Sequence, residues 1–109
     1  MPLGQGQLST TPAVIYKNGG NNLVYVKVVW LHNPTDSDTT VVLYYVPNDN
    51  GQVGQAAFEW QIEEYPLAAK ESYEVAPSYP WDMDTNNDSL QAKSTIANSV
   101  NYLVLGKAT

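Results

Sequence analysis

The chain has no cysteine, no arginine and a single histidine among its 109 residues. Without cysteine, disulfides and thiolate metal sites are excluded, and cysteine usage gives no hint of compartment. Five lysines face eleven acids, a formal charge of −6. Binding to a phosphate backbone by counterion release therefore has almost nothing to work with, so nucleic acid is not expected as a partner. The same balance disfavours anionic membranes, and no segment approaches the roughly 18 apolar residues needed to span a bilayer. Met1-Pro2-Leu3-Gly4-Gln5-Gly6-Gln7 has neither the basic region nor the apolar run of a secretory signal, which predicts synthesis in the cytoplasm without such processing.

What is present points to β-structure. The 43% hydrophobic content is largely Val, Leu and Tyr, residues enriched in strands, and no long amphipathic helical run exists. A chain of 12.0 kDa exposes roughly 17,000 Å² unfolded and about 6,000 Å² folded, enough burial for one core. Eight Tyr and three Trp combine a large apolar body with a polar tip, which suits a β core, a protein interface or a sugar-binding surface.

Turn signals divide the chain into short strands. Leu8 to Lys17 stops at Asn18-Gly19-Gly20-Asn21-Asn22, and Leu23 to His32 stops at Asn33-Pro34, where proline cannot donate to a ladder. Thr39 to Val46 is apolar on both faces, as in a central strand, and Asn50-Gly51 suits a primed hairpin or a Gly-bulge loop. In Ala56 to Tyr65, Phe58, Trp60 and Ile62 alternate with Glu59, Gln61 and Glu63, which predicts one buried and one wet face. Pro66 to Lys70 reads as a turn, Ser72 to Ala76 as a short strand and Pro77 to Asn87 as a long loop. Ser89 to Ser94 and Val100 to Gly106 read as strands joined around Asn98-Ser99. The expected fold is all-β: a single antiparallel β-sandwich, jelly-roll or Ig-like, of about seven to eight short strands. Residues 1–10 are expected as an N-terminal arm and 11–109 as the sandwich domain.

Several phrases, in order, carry a resemblance. Ala13-Val14-Ile15-Tyr16 precedes Val26-Lys27-Val28-Val29-Trp30-Leu31-His32-Asn33, then Thr40-Val41-Val42-Leu43-Tyr44-Tyr45-Val46-Pro47. Asp88-Ser89-Leu90-Gln91-Ala92-Lys93-Ser94 and Ala97-Asn98-Ser99-Val100-Asn101-Tyr102-Leu103-Val104-Leu105-Gly106 follow. This series resembles small β-sandwich virion structural proteins of tailed bacteriophages, of the capsid decoration (cement) or tail-accessory type. The resemblance implies a location on the virion and binding to the major capsid protein or other virion proteins, with a homo-oligomer as one arrangement. It brings no catalytic residues. The Tyr79-Pro80-Trp81 loop and the Asp/Asn run after it depart from the family's plainer turn.

Few constellations could carry chemistry. Asp82, Asp84, Asn86 and Asp88 stand at alternate positions, like the oxygen ligands opening an EF-hand calcium loop. Asn87, however, stands where that loop needs glycine and Lys93 where it needs the bidentate glutamate, so a solvated turn is the plainer reading and no metal is expected. Glu63 and Glu64 point to opposite faces of a strand. Glu59 and Glu63 share a face about 13 Å apart at strand rise, too far for either glycosidase geometry. His32 has no nucleophile elbow to serve. The expectation is a binding protein, not an enzyme, with no cofactor. Partner contacts are expected from Leu3 and Leu8 on the arm and from Tyr65, Tyr79 and Trp81, whose rings could anchor in a protein pocket. The alternative is a tail-tip or fibre-associated module stacking host surface glycan on the same aromatic loop.

Overall fold

The computed structural model describes residues 2–20, 23–76, 81–83 and 85–108. The strands are β1 (Pro2–Gln7), β2 (Ala13–Lys17), β3 (Val24–His32), β4 (Thr39–Val46), β5 (Gln61–Leu67), β6 (Ser72–Val75), β7 (Trp81–Met83), β8 (Ser89–Ser94) and β9 (Asn101–Ala108). β4 and β8 coincide with the segments read from sequence, and β3 ends at His32, just before Asn33-Pro34.

The pairing is a nest. β4 pairs with β5, β3 with both β6 and β7, β2 with β8 and β1 with β9, all antiparallel. β6 and β7 lie end to end along one side of β3. β3 advances from Val29 to Val26 while the edge chain advances from Val75 to Trp81, so the two form one broken edge strand. Counted so, the chain is a single long hairpin of eight strands. It is rolled until β9 also pairs with β3, and β8 with β4. The result is two facing sheets, β1-β9-β3-β6/β7 and β2-β8-β4-β5, the order of a jelly roll.

The inward side chains of both sheets make one core, including Ile15, Val26, Val29, Leu31, Val41, Leu43, Leu67, Met83, Leu90 and Val104. β4 is buried on both faces, as its sequence predicts. Val41 and Leu43 point into the main core, while Val42, Tyr44 and Val46 form a second cluster with Ala56. Ala56 belongs to the long connection from Pro47 to Trp60, which folds back over the outer face of the β2-β8-β4-β5 sheet. Gln91 Nε2, on that outer face, donates to the Gly54 carbonyl at 2.9 Å. Asn50 and Gly51 both have positive φ, 51° and 81°, and Asp49 and Gln52 exchange two backbone hydrogen bonds around them. This is the primed hairpin, one of the two arrangements expected, set within the connection.

Among the described residues the buried side-chain polar atoms are all paired. Asn33, fully buried, donates from Nδ2 to the carbonyls of Ser37 and Ala68 and accepts from Thr35 N and Oγ1. Its backbone N–H donates to Glu71. One amide side chain thus ties the turn after β3 to the turn after β5.

Three expectations are corrected. Pro2–Gln7, expected as part of an arm, is the edge strand β1 and pairs with β9 from Pro2↔Leu105 to Gln7↔Asn101. Gly4 permits this course, because a Cβ there would stand 2.7 Å from the Ile15 carbonyl oxygen. The expected loop from Pro77 to Asn87 contains β7, whose Met83 is a core residue. Phe58, Trp60 and Ile62 do not face the core. Phe58–Trp60 is a 3₁₀ turn, and the β4–β5 register shifts between Leu43 and Tyr44, whose partners are Glu63 and Gln61. Ile62 is the extra residue of that bulge. The bulge exchanges the two faces for the residues beyond it, so Tyr65 and Leu67 lie on the side of Val41 and the core while Glu64 lies on the side of Val42. Phe58 and Trp60 precede the bulge and take their course from the 3₁₀ turn.

Candidate docking surface

The 3₁₀ turn and the bulge residue after it leave an apolar group on the outside. Phe58 is 87% exposed, Trp60 37% and Ile62 38%. Phe58, the only phenylalanine of the chain, is thus almost wholly in water. The three alternate with Glu59 and Gln61 and run into Glu63 and Glu64, and all three glutamates are exposed. β5 is the last strand of its sheet, so among the described residues its outer row of N–H and C=O groups has no partner strand. Sequence reasoning identified the alternation and assigned it to the core. The signal that separates the two is upstream, in Gly51 to Ala57, a stretch with too little β character to carry a strand into Phe58.

The other sheet presents a different face. By register Trp30 stands beside Leu103 and Val28 beside Leu105, on the side away from Val29 and Leu31. Trp30 is 38% exposed, the other three are half-buried, and Gln5, Gln7 and Asn101 border them along β1 and β9. His32 and Ser72 also lie on this face, with His32 Nδ1 2.7 Å from Ser72 Oγ across the strand pair.

A cleft of about 480 Å³ opens where the long connection leaves β4, lined by Val46, Pro47, Asn48, Asp49, Val53, Gly54, Gln55 and Trp60. Its wall is held from below. Asp88 Oδ1 accepts from Asn48 N at 2.9 Å and Asn48 Nδ2 at 3.0 Å, and Asn87 Nδ2 donates to the Gly51 carbonyl at 2.7 Å. Asp88 is therefore a buried structural acceptor. Of the other calcium candidates, Asn86 is exposed in a turn, Asp82 contributes backbone pairing to Tyr25, and Asp84 lies outside the described residues. Among the described residues no group of three or more His, Asp or Glu stands together as a metal site would require.

The expected partner contacts fare differently. Leu8 is 1% exposed and belongs to the core, which corrects its assignment as a contact. It is fixed there by hydrogen bonds with Val100 and Asn98, which lace the β1–β2 connection to the β8–β9 turn. Leu3 is half-buried against the core. Tyr65 also packs on the core, with its ring 4.4 Å from that of Tyr73. Burial, and then the Glu63 carboxylate beside it, push its phenol well above the ordinary value of 10.0. It is half-buried, between the core and the Tyr73 ring. Trp81 supplies backbone pairing to Val26, and Tyr79 lies outside the described residues. Compared with family models, curated proteins and solved structures, the chain matches none.

Proposed function

We propose that this protein is a structural component of a phage particle, a capsid decoration protein that binds the major capsid lattice and stabilises it without catalysis. The observation that carries the reading is the asymmetry of the sandwich. One outer face is covered by the chain's own Pro47–Trp60 connection, through Ala56 and Gln91. The other presents Trp30, Val28, Leu103 and Leu105, bordered by Gln5, Gln7 and Asn101 along β1 and β9 and by Glu74 beside Trp30 on β6. A contiguous apolar patch with a polar rim is the ordinary anatomy of a docking face. Jelly rolls serve both capsids and lectins, so the fold alone does not choose. The ordered resemblance to decoration proteins and this face favour the first.

Quantifying the chain in purified particles of the phage or prophage that encodes it tests the reading. Hundreds of copies per particle are expected for lattice decoration, with loss of incorporation for Trp30→Lys/Leu103→Lys. Absence from particles overturns it. A second reading, glycan recognition by a tail or fibre module, draws on the cleft in which Trp60 stands with Asp49 and Gln55, since a ring beside amide and carboxylate groups suits a sugar. Glycan-array binding lost on Trp60→Ala would support it, and an array without signal would remove it.

A further inference from the structure

The Phe58, Trp60, Ile62 series has the pattern of a strand half-buried in a sandwich, yet its apolar members face water. An apolar group left open in the isolated chain needs cover from outside, and β5, which carries Ile62 and directly follows Phe58 and Trp60, is an edge strand. Strand addition supplies both at once: main-chain hydrogen bonds along the edge and burial of alternate side chains.

The chemistry of the rim selects the occupant. Glu59, Glu63 and Glu64 are all exposed on this segment, and among the described residues no lysine lies within Phe58–Leu67 to balance them. A second copy adding here in antiparallel fashion would set glutamates against glutamates, and like charges facing each other across strands destabilise the pair. A chain with lysine or arginine between apolar residues meets the same edge with complementary charge. We propose that β5 and the 3₁₀ turn before it form a docking edge for an extended cationic and apolar segment of another protein. This rests on the reading of the chain as a protein-binding module, and it names where one partner attaches.

The edge is tested with a synthetic octapeptide alternating lysine and valine, followed by amide chemical-shift mapping on the intact chain. Expected are shifts concentrated on Phe58 to Pro66, weakening with added salt as exposed charges are screened. Affinity should fall about tenfold or more in Phe58→Ala and in Glu59→Lys/Glu64→Lys. Phe58 and these two glutamates are exposed, so the variants should keep the wild-type melting temperature. A peptide alternating glutamate and valine should not bind. The proposal is overturned if the lysine peptide does not bind, if its shifts map to β1 or to the Trp30 face, or if the glutamate peptide binds equally. A dimer abolished by these substitutions would likewise overturn it, in favour of a second copy. The two readings fail separately. A chain absent from particles that still binds the peptide here defeats only the virion reading. Normal incorporation of Phe58→Ala/Glu59→Lys/Glu64→Lys defeats only this edge.

Discussion

Leu43 and Trp60 were both candidates for the core on sequence grounds, and they now make different predictions. Leu43 is fully buried in the main cluster, so Leu43→Ala should cost about 2–5 kcal/mol through lost transfer energy and the cavity left behind. Trp60 is 37% exposed and its removal leaves an open groove, not an enclosed cavity, so Trp60→Ala should cost less than Leu43→Ala, about 1–2 kcal/mol from lost apolar burial. Urea unfolding midpoints of the two variants compare these directly. Gly106 gives a third prediction at this scale. A Cβ there would stand 2.0 Å from the Tyr25 carbonyl oxygen, a clash with backbone that no rotamer relieves. Gly106→Ala should therefore destabilise by roughly 1–3 kcal/mol, as overpacked sites do. Removing the Asn33 amide leaves Thr35 N and two or more carbonyls short of a partner, and Asn33→Ala should cost about 1–3 kcal/mol.

At the scale of elements, the edge formed by β5 carries a pH dependence. The Tyr65 phenol is raised above 10.0 by burial first and by Glu63 second, so the neutral ring is favoured in the fold. Its contribution is complete below pH 10.0 and is lost as pH rises through the higher folded value, because the unfolded chain ionises first. Wild-type stability should therefore fall more steeply than that of Tyr65→Phe between about pH 8 and about pH 11. Urea midpoints measured at both ends of that range would read the difference. Burial raises Tyr16 and Tyr102 in the same direction, so part of the alkaline loss should remain in the variant.

The elements also explain what was legible. β4 and β8 could be read to the residue because dense apolar sequence is bounded by clear turn signals. β1 could not. Pro2-Leu3-Gly4-Gln5-Gly6-Gln7 has little strand propensity, and its pairing with β9 comes from residues at the far end of the chain. β7 is three residues long, too short for any periodicity to register. In β5 the alternation was visible but its direction was not, because one bulge residue, Ile62, decides which parity meets the core. The candidate surface was missed because Phe58 and Trp60 lie in a 3₁₀ turn ahead of the strand, where alternation no longer assigns a face. Polarity patterns reveal that a face wants cover, and only the register tells whether the chain provides it.

At the scale of the whole molecule, nested pairing makes nearly every ladder non-local. The innermost pair, β4 with β5, already closes the long Pro47–Trp60 connection, and the outermost joins the two ends of the sequence. Folds dominated by such contacts collect little reward until late in assembly, so refolding is expected on the millisecond-to-second scale typical of sandwiches. Stopped-flow tryptophan fluorescence would measure it, and a microsecond phase accounting for the whole signal would contradict the argument.

The pairing of Pro2 with Leu105 has a practical corollary. Because β1 and β9 run antiparallel side by side, the start of one and the finish of the other lie at the same rim of the sandwich. Any cargo or tag fused to either end therefore leaves the protein in one direction, away from the Asn50-Gly51 turn or toward it, but never split between opposite poles. A short linker between those ends, with the chain reopened at that turn, should yield a circular permutant that keeps all the ladders intact.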